Sequence, residues 1–158
     1  MKRLACVLLC AFGLVGCGIQ PTAVIPAGNA PIGNQLGSTR PQITLYFLIG
    51  GQLSPVRRAW AAETSPTTIL TELFGGPSPA EEQQGFYSTL PPGRHVTVDT
   101  SGAQVVVTVA VSMKQLFPDG VRQVVCTTAA ALAASGRNAT GGITVVASDT
   151  KLESLSCN

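Results

Sequence analysis

Between residues 42 and 147 the chain switches between two periods of hydrophobicity, and that switching limits the fold more than any other feature. Gln42-Ile43-Thr44-Leu45-Tyr46-Phe47-Leu48-Ile49 is β-branched and aromatic-rich and is stopped by Gly50-Gly51. It reads as a strand, apolar on both faces toward its end and therefore central. Helical spacing follows: Ser65 is placed to cap, Pro66 suits the first helical position, and Ile69, Leu70, Leu73 and Phe74 share one face before Gly75-Gly76. Ser78-Pro79-Ala80-Glu81 has the spacing of a capping box and announces a second, short helix ending near Gly85. Val96-Thr97-Val98 and the run from Val105 to Val111 flank Asp99-Thr100-Ser101-Gly102, which reads as a hairpin. Pro118-Asp119-Gly120 turns the chain into a helix over residues 121–135, with Val121, Val124, Val125 and Leu132 along one side and Gly136 at its end. Ile143-Thr144-Val145-Val146-Ala147 is the last strand. The predicted order is β-α-α-β-β-α-β, an α+β fold with helices gathered on one face of a small mixed sheet.

The residues before this region carry a different message. Met1-Lys2-Arg3 is followed by an apolar stretch from Leu4 to Val15, which is too short to span hydrocarbon and reads as a signal peptide over residues 1–16. Leu14-Val15-Gly16-Cys17 resembles the bacterial lipobox, in which a diacylglycerol is joined to the Cys sulfur before a peptidase cuts ahead of it. Lipidation of Cys17 with palmitate-type chains is the expectation, and ordinary secretion is the alternative. Two or three acyl chains hold a protein firmly, since each buried CH₂ contributes about 0.8 kcal/mol. The membrane is thus an expected partner, and the outer face of the cytoplasmic membrane the expected location. Residues 18–41 are rich in Pro, Gly and Asn without a period and read as a tether, spanning about 25 to 30 Å on average and about 80 Å at full stretch. Residues 42–158 remain as one domain.

Processing also changes the charge. The formal net charge of +2 comes from Lys2 and Arg3; without them eight basic residues stand against eight acidic ones. The mature chain is neutral, so the basic balance points to no nucleic-acid partner. Cys6 and Cys10 leave with the signal, so Cys126 and Cys157 form an even pair once Cys17 is acylated.

Several segments resemble the sporulation and spore germination GerMN domain. They are the first strand with its Gly-Gly stop and Leu53-Ser54-Pro55-Val56-Arg57, then Leu73-Phe74-Gly75-Gly76-Pro77-Ser78-Pro79-Ala80-Glu81, Gly85, and Thr89-Leu90-Pro91-Pro92-Gly93. The helix with Arg122-Gln123-Val124-Val125-Cys126-Thr127-Thr128-Ala129 is similar to that family's second long helix. The resemblance runs from Ile43 to Val146 and looks like the single-domain lipoprotein form found in actinobacteria, with nothing after Val146 matching a second copy. Cys126 departs from the pattern, because such helices more often carry an apolar or aromatic residue there. What the resemblance implies is an envelope module for protein interaction or assembly, tied to sporulation, germination or sensor-kinase signalling, with no catalytic residues. Its partner would be another envelope protein or a second copy of the chain.

The residues themselves point away from an enzyme. The single histidine, His95, stands at the start of a strand without a motif that supplies a nucleophile and an orienting group. Glu81 and Glu82 are adjacent and diverge by about 100° on a helix, so they cannot face each other as acid and base. No closed metal-ligand set and no phosphate-cradling glycine pattern is present in the sequence, so no cofactor and no metal are expected. Asn138-Ala139-Thr140 is read as an accidental match to the glycosylation pattern. Arg57, Arg58 and Trp60, read as a loop after the first strand, are the candidate contacts to a partner or an anionic cell-wall polymer, since guanidinium pairs with phosphate and carboxylate while an aromatic stacks on sugar. A cell-wall glycan-binding module is therefore the alternative function; a solvated loop with a docking Trp is the plainer reading. On a helical wheel Cys126 lies about 140° from Val121, away from the apolar stripe. A bond from Cys126 to Cys157 across the outside of the helix is the expectation, and two reduced thiols are the alternative.

Overall fold

The computed structural model describes residues 41–61, 64–116 and 118–157. Cys17, the signal peptide and the tether up to residue 40 lie outside the described residues.

The chain opens with a hairpin of two strands, β1 (Gln42–Ile49) and β2 (Gln52–Ala59), paired antiparallel with Ile49 opposite Gln52. Gly50 and Gly51 have φ of 58° and 79°, the left-handed pair that a two-residue turn needs if its twist is to match the strands. Sequence reasoning treated Gly50-Gly51 as a stop and placed Arg57, Arg58 and Trp60 in a loop. Arg57 and Arg58 lie instead on β2, and Trp60 extends the pairing by donating its N–H to the Pro41 carbonyl at 2.8 Å. Proline is disfavoured inside a sheet, yet Pro55 sits opposite Tyr46, whose own N–H points away from β2, so the missing donor breaks no ladder bond.

Helix α1 (Pro66–Gly75) begins at the Ser65 cap and buries Ile69, Leu70, Leu73 and Phe74. Helix α2 (Pro79–Gln83) is one turn closed by a full capping box between Ser78 and Glu81. Next come β3 (Val96–Asp99) and β4 (Val105–Val109), an antiparallel pair, then the short α3 (Met113–Leu116) and the long α4 (Asp119–Ala134). Strand β5 (Ile143–Val146) returns parallel to β4, and β6 (Lys151–Leu155) pairs antiparallel with β5. The class is α+β, with the predicted elements in the predicted order and β2, α3 and β6 added. The mixed sheet has the order β3-β4-β5-β6, and the hairpin forms a separate sheet.

This second sheet changes the setting of the helices. Both α1 and α4 touch the hairpin as well as the mixed sheet, so neither keeps a fully open outer face. The core contains Phe47, Leu70, Phe74, Val107, Leu132 and Ile143, and the buried arc of α4 extends past the valine stripe to Gln123 and Thr127.

At the far end of the mixed sheet the return of the chain is tight. A Cβ on Gly142 would lie 2.7 Å from the Ser154 Cα, and Ser154 itself has φ of 55° where β6 slips register against β5. Only glycine allows that approach.

Candidate interaction surface

The site must be built from β2, because that strand carries the charged residues singled out in the sequence. Neighbours on a strand point to opposite faces, so Arg57 and Arg58 part company. Arg58 lies opposite Ile43, on the core side, and its guanidinium sits 5.4 Å from the centre of the Phe47 ring. From there Nε donates to Glu81 Oε1 at 2.9 Å and Nη2 to Glu81 Oε2 at 2.5 Å, a two-point contact. Nη1 reaches Glu72 Oε1 at 2.6 Å and Nη2 the Gly76 carbonyl at 3.0 Å. One side chain thereby joins β2, the end of α1 and the start of α2. Charge-assisted, two-point pairs of this kind are stronger than neutral hydrogen bonds.

Glu81 serves both this clamp and the helix cap, accepting from the Ser78 N–H at 2.7 Å. The hydrogen bonds from Arg58, with help from Ser78, hold the Glu81 carboxyl below the usual carboxylate range. The same contact raises the Arg58 guanidinium above its ordinary value. Arg58 is therefore occupied within the fold and presents little to a ligand.

Trp60 is half-buried against the core, and its indole Nε1 is shielded from solvent without a hydrogen-bond partner among the described residues. Arg57 alone of the three is exposed, opposite Thr44 on the outer face of the hairpin. That face continues through the pair Tyr46 and Pro55 to the half-buried Leu53, whose partner Leu48 is fully buried. Tyr87 bridges to Leu48 through two backbone hydrogen bonds of 2.9 and 2.8 Å and is 43% exposed, the largest such exposure of a big apolar side chain among the described residues. Tyr46, Leu53, Pro55, Arg57 and Tyr87 form a surface of the type enriched at protein contacts, where rigid aromatics and arginine carry much of the affinity. Alternation along β1 signals that Tyr46 leaves the core face. Tyr87 lies in no periodic segment and left no signal.

Polar groups of α4 fix the hairpin from its other side. Thr127 Oγ1 accepts the Tyr46 N–H at 3.0 Å, and Gln123 Nε2 donates to the Tyr46 carbonyl at 3.1 Å. Gln123 Oε1 also accepts from the Thr89 N–H and hydroxyl, both at 3.1 Å. Both helix residues are fully buried, which their polarity gave no reason to expect.

Cys126 and Cys157 are joined, as the wheel argument expected, with their Cα atoms 4.7 Å apart. Cys126 stands apart from the apolar core cluster yet is only 3% exposed, because the tail covers that flank of the helix. His95 is exposed just before β3, Glu82 is exposed on α2, and Asn138 and Thr140 are exposed beyond α4. Among the described residues no group of three or more His, Cys, Asp or Glu could hold a metal, and no helix is long and apolar enough to cross a membrane.

No protein-family model and no curated protein matches the sequence. Among solved structures, the chain is similar to the first GerMN domain of the sporulation protein GerM from Bacillus subtilis, with a TM-score of 0.52 and 16% identity over 71% of this chain and 86% of that one. It is also similar to the tandem GerMN domains of the same protein, with a TM-score of 0.50 and 15% identity over 72% of this chain and 41% of that longer one. The likeness, at this identity, is one of fold: the region from β1 to β6 folds as a GerMN-type domain.

Proposed function

We propose that the protein is a non-catalytic interaction module of the cell envelope, tethered by lipid on Cys17 to the outer face of the cytoplasmic membrane. The structural observation that supports this most is the outer face of the hairpin, where Tyr46, Leu53, Pro55, Arg57 and Tyr87 are displayed on a support fastened by Arg58, Gln123 and Thr127. Rigid display lowers the entropy cost of association, and confinement to a surface raises the effective concentration of a partner. The lipobox and the tether supply the confinement. The solved domains of similar fold come from a sporulation protein, which favours a partner linked to sporulation, with a second copy of this chain as the other candidate.

The test has two arms. Intact-mass analysis of the membrane fraction should find acylated Cys17, and a Cys17→Ala form should leave that fraction. A photo-crosslinking residue in place of Tyr87 should capture a defined envelope protein or a second copy on intact cells, and Arg57→Glu should abolish the capture. Capture of nothing at this face, together with a chain that fractionates without lipid, would overturn the reading.

A further inference from the structure

Four strand edges offer main-chain groups to a partner, and three of them carry features that satisfy those groups or disfavour an added strand. The inner edge of β1 is used by Tyr87 at Leu48 and by Thr127 and Gln123 at Tyr46. The outer edge of β2 carries Pro55, which has no N–H to give. The outer edge of β6 is irregular at Ser154 and carries the ion pair of Lys151 and Glu153 at 2.5 Å.

Edge β3 differs. Its Val98 N–H is taken by Thr67 Oγ1 at 2.9 Å, which marks the direction of the free edge. The His95 carbonyl accepts from the Ala110 N–H on the opposite, β4 side at 3.1 Å. Alternation then turns the Val96 N–H and C=O outward, toward α1. They open on a groove of about 410 Å³, with Thr71 and Gly75 on the helix side and Gly93, Arg94 and His95 on the strand side. That volume lies within the range of ligand clefts, about 300 to 1,000 Å³. The lining holds Arg94 and His95 and no acidic residue. A Cβ on Gly75 would meet nothing within 4 Å, and its backbone lies outside the left-handed region, so the groove has room for a side chain there.

We infer that this groove binds an extended acidic segment of a partner protein, which adds as a short strand at Val96 with a carboxylate against Arg94. Thr67 closes the edge at Val98, so the added strand runs from there toward Gly93. The inference deepens the interaction-module reading and rests on it, but it concerns a different face from the hairpin.

The test uses the full-length chain in detergent and two labelled hexapeptides, Thr-Glu-Val-Glu-Val-Thr and the same sequence with Lys for Glu, with binding read by fluorescence anisotropy. The acidic peptide should bind at least about 10-fold tighter than the basic one, and Arg94→Glu should remove that preference. Gly75→Leu fills the groove from a helical position with room for a side chain, so it should weaken the acidic peptide by at least about 10-fold while the thermal midpoint does not fall. Absence of binding by the acidic peptide, equal binding of both peptides, or acidic-peptide binding indifferent to both substitutions would overturn the inference. Crosslinking from Tyr87 that persists in the Arg94→Glu chain would, in any of those cases, leave the interaction module standing and reject only the groove.

Discussion

The inner edge of β1 and the outer edge of β3 have the same local problem and different solutions. Each is a sheet edge lying beside a helix, and each has one N–H satisfied by a threonine hydroxyl, Thr127 for Tyr46 and Thr67 for Val98. On β1 the neighbouring carbonyl is also satisfied, by Gln123, and the next outward residue is bridged by Tyr87. On β3 the threonine stands alone, and the next outward residue faces a groove. An unpaired edge is a liability when long and a binding device when short. Closure of the β1 edge fixes the hairpin against α4, and the stretch at Val96 on β3 is the one inferred to receive a partner.

Breaking the closed structures should cost most. Replacing Cys126 by Ala together with Cys157 by Ser removes a link across 31 residues, and denaturant unfolding should show a loss of about 3 to 4 kcal/mol by the chain-entropy estimate. Gln123→Leu leaves the Tyr46 carbonyl and the Thr89 N–H without partners, at about 1 to 3 kcal/mol each before relaxation, so a net loss of about 3 kcal/mol is expected in the same measurement. Arg58→Ala should cost about 2 kcal/mol, less than a fully buried pair because Glu72 is partly solvated. The two threonines sharpen the contrast: Thr127→Val should destabilise by about 1 to 2 kcal/mol and Thr67→Val by about 1 kcal/mol or less, since only Thr127 is fully buried.

The smallest effect is the pH response. The Glu81 carboxyl is held below its ordinary value by Arg58, so its contribution is fully present above the unfolded pKa of about 4.3 and is lost as pH falls through the lower folded value. Stability measured against pH should decline on that acid side, and Glu81→Gln should flatten the decline.

Much of this architecture was legible in the residues. The Ser65 and Ser78 caps, the apolar face of α1 and the disulfide follow from local chemistry that tertiary packing did not override. The hairpin escaped the sequence reading because Gly50-Gly51 reads as the end of a strand, although two glycines between two extended runs are themselves a hairpin signal. From that error came the placement of Arg57, Arg58 and Trp60 on a loop. Gln123 and Thr127 were illegible for another reason: a wheel built on hydrophobicity assigns polar residues to solvent, whereas here a second sheet covers them and their hydrogen bonds offset the burial. The β3 groove depends on the spacing of α1 from a strand distant in sequence, which no local pattern encodes.

Amide hydrogen exchange on the folded chain tests the contrast between the two edges most directly. The account predicts that the Tyr46 N–H exchanges only on global opening, while the Val96 N–H exchanges at least about 100-fold faster and slows when the acidic hexapeptide is bound. A Val96 N–H as protected in the free chain as that of Tyr46 would contradict it.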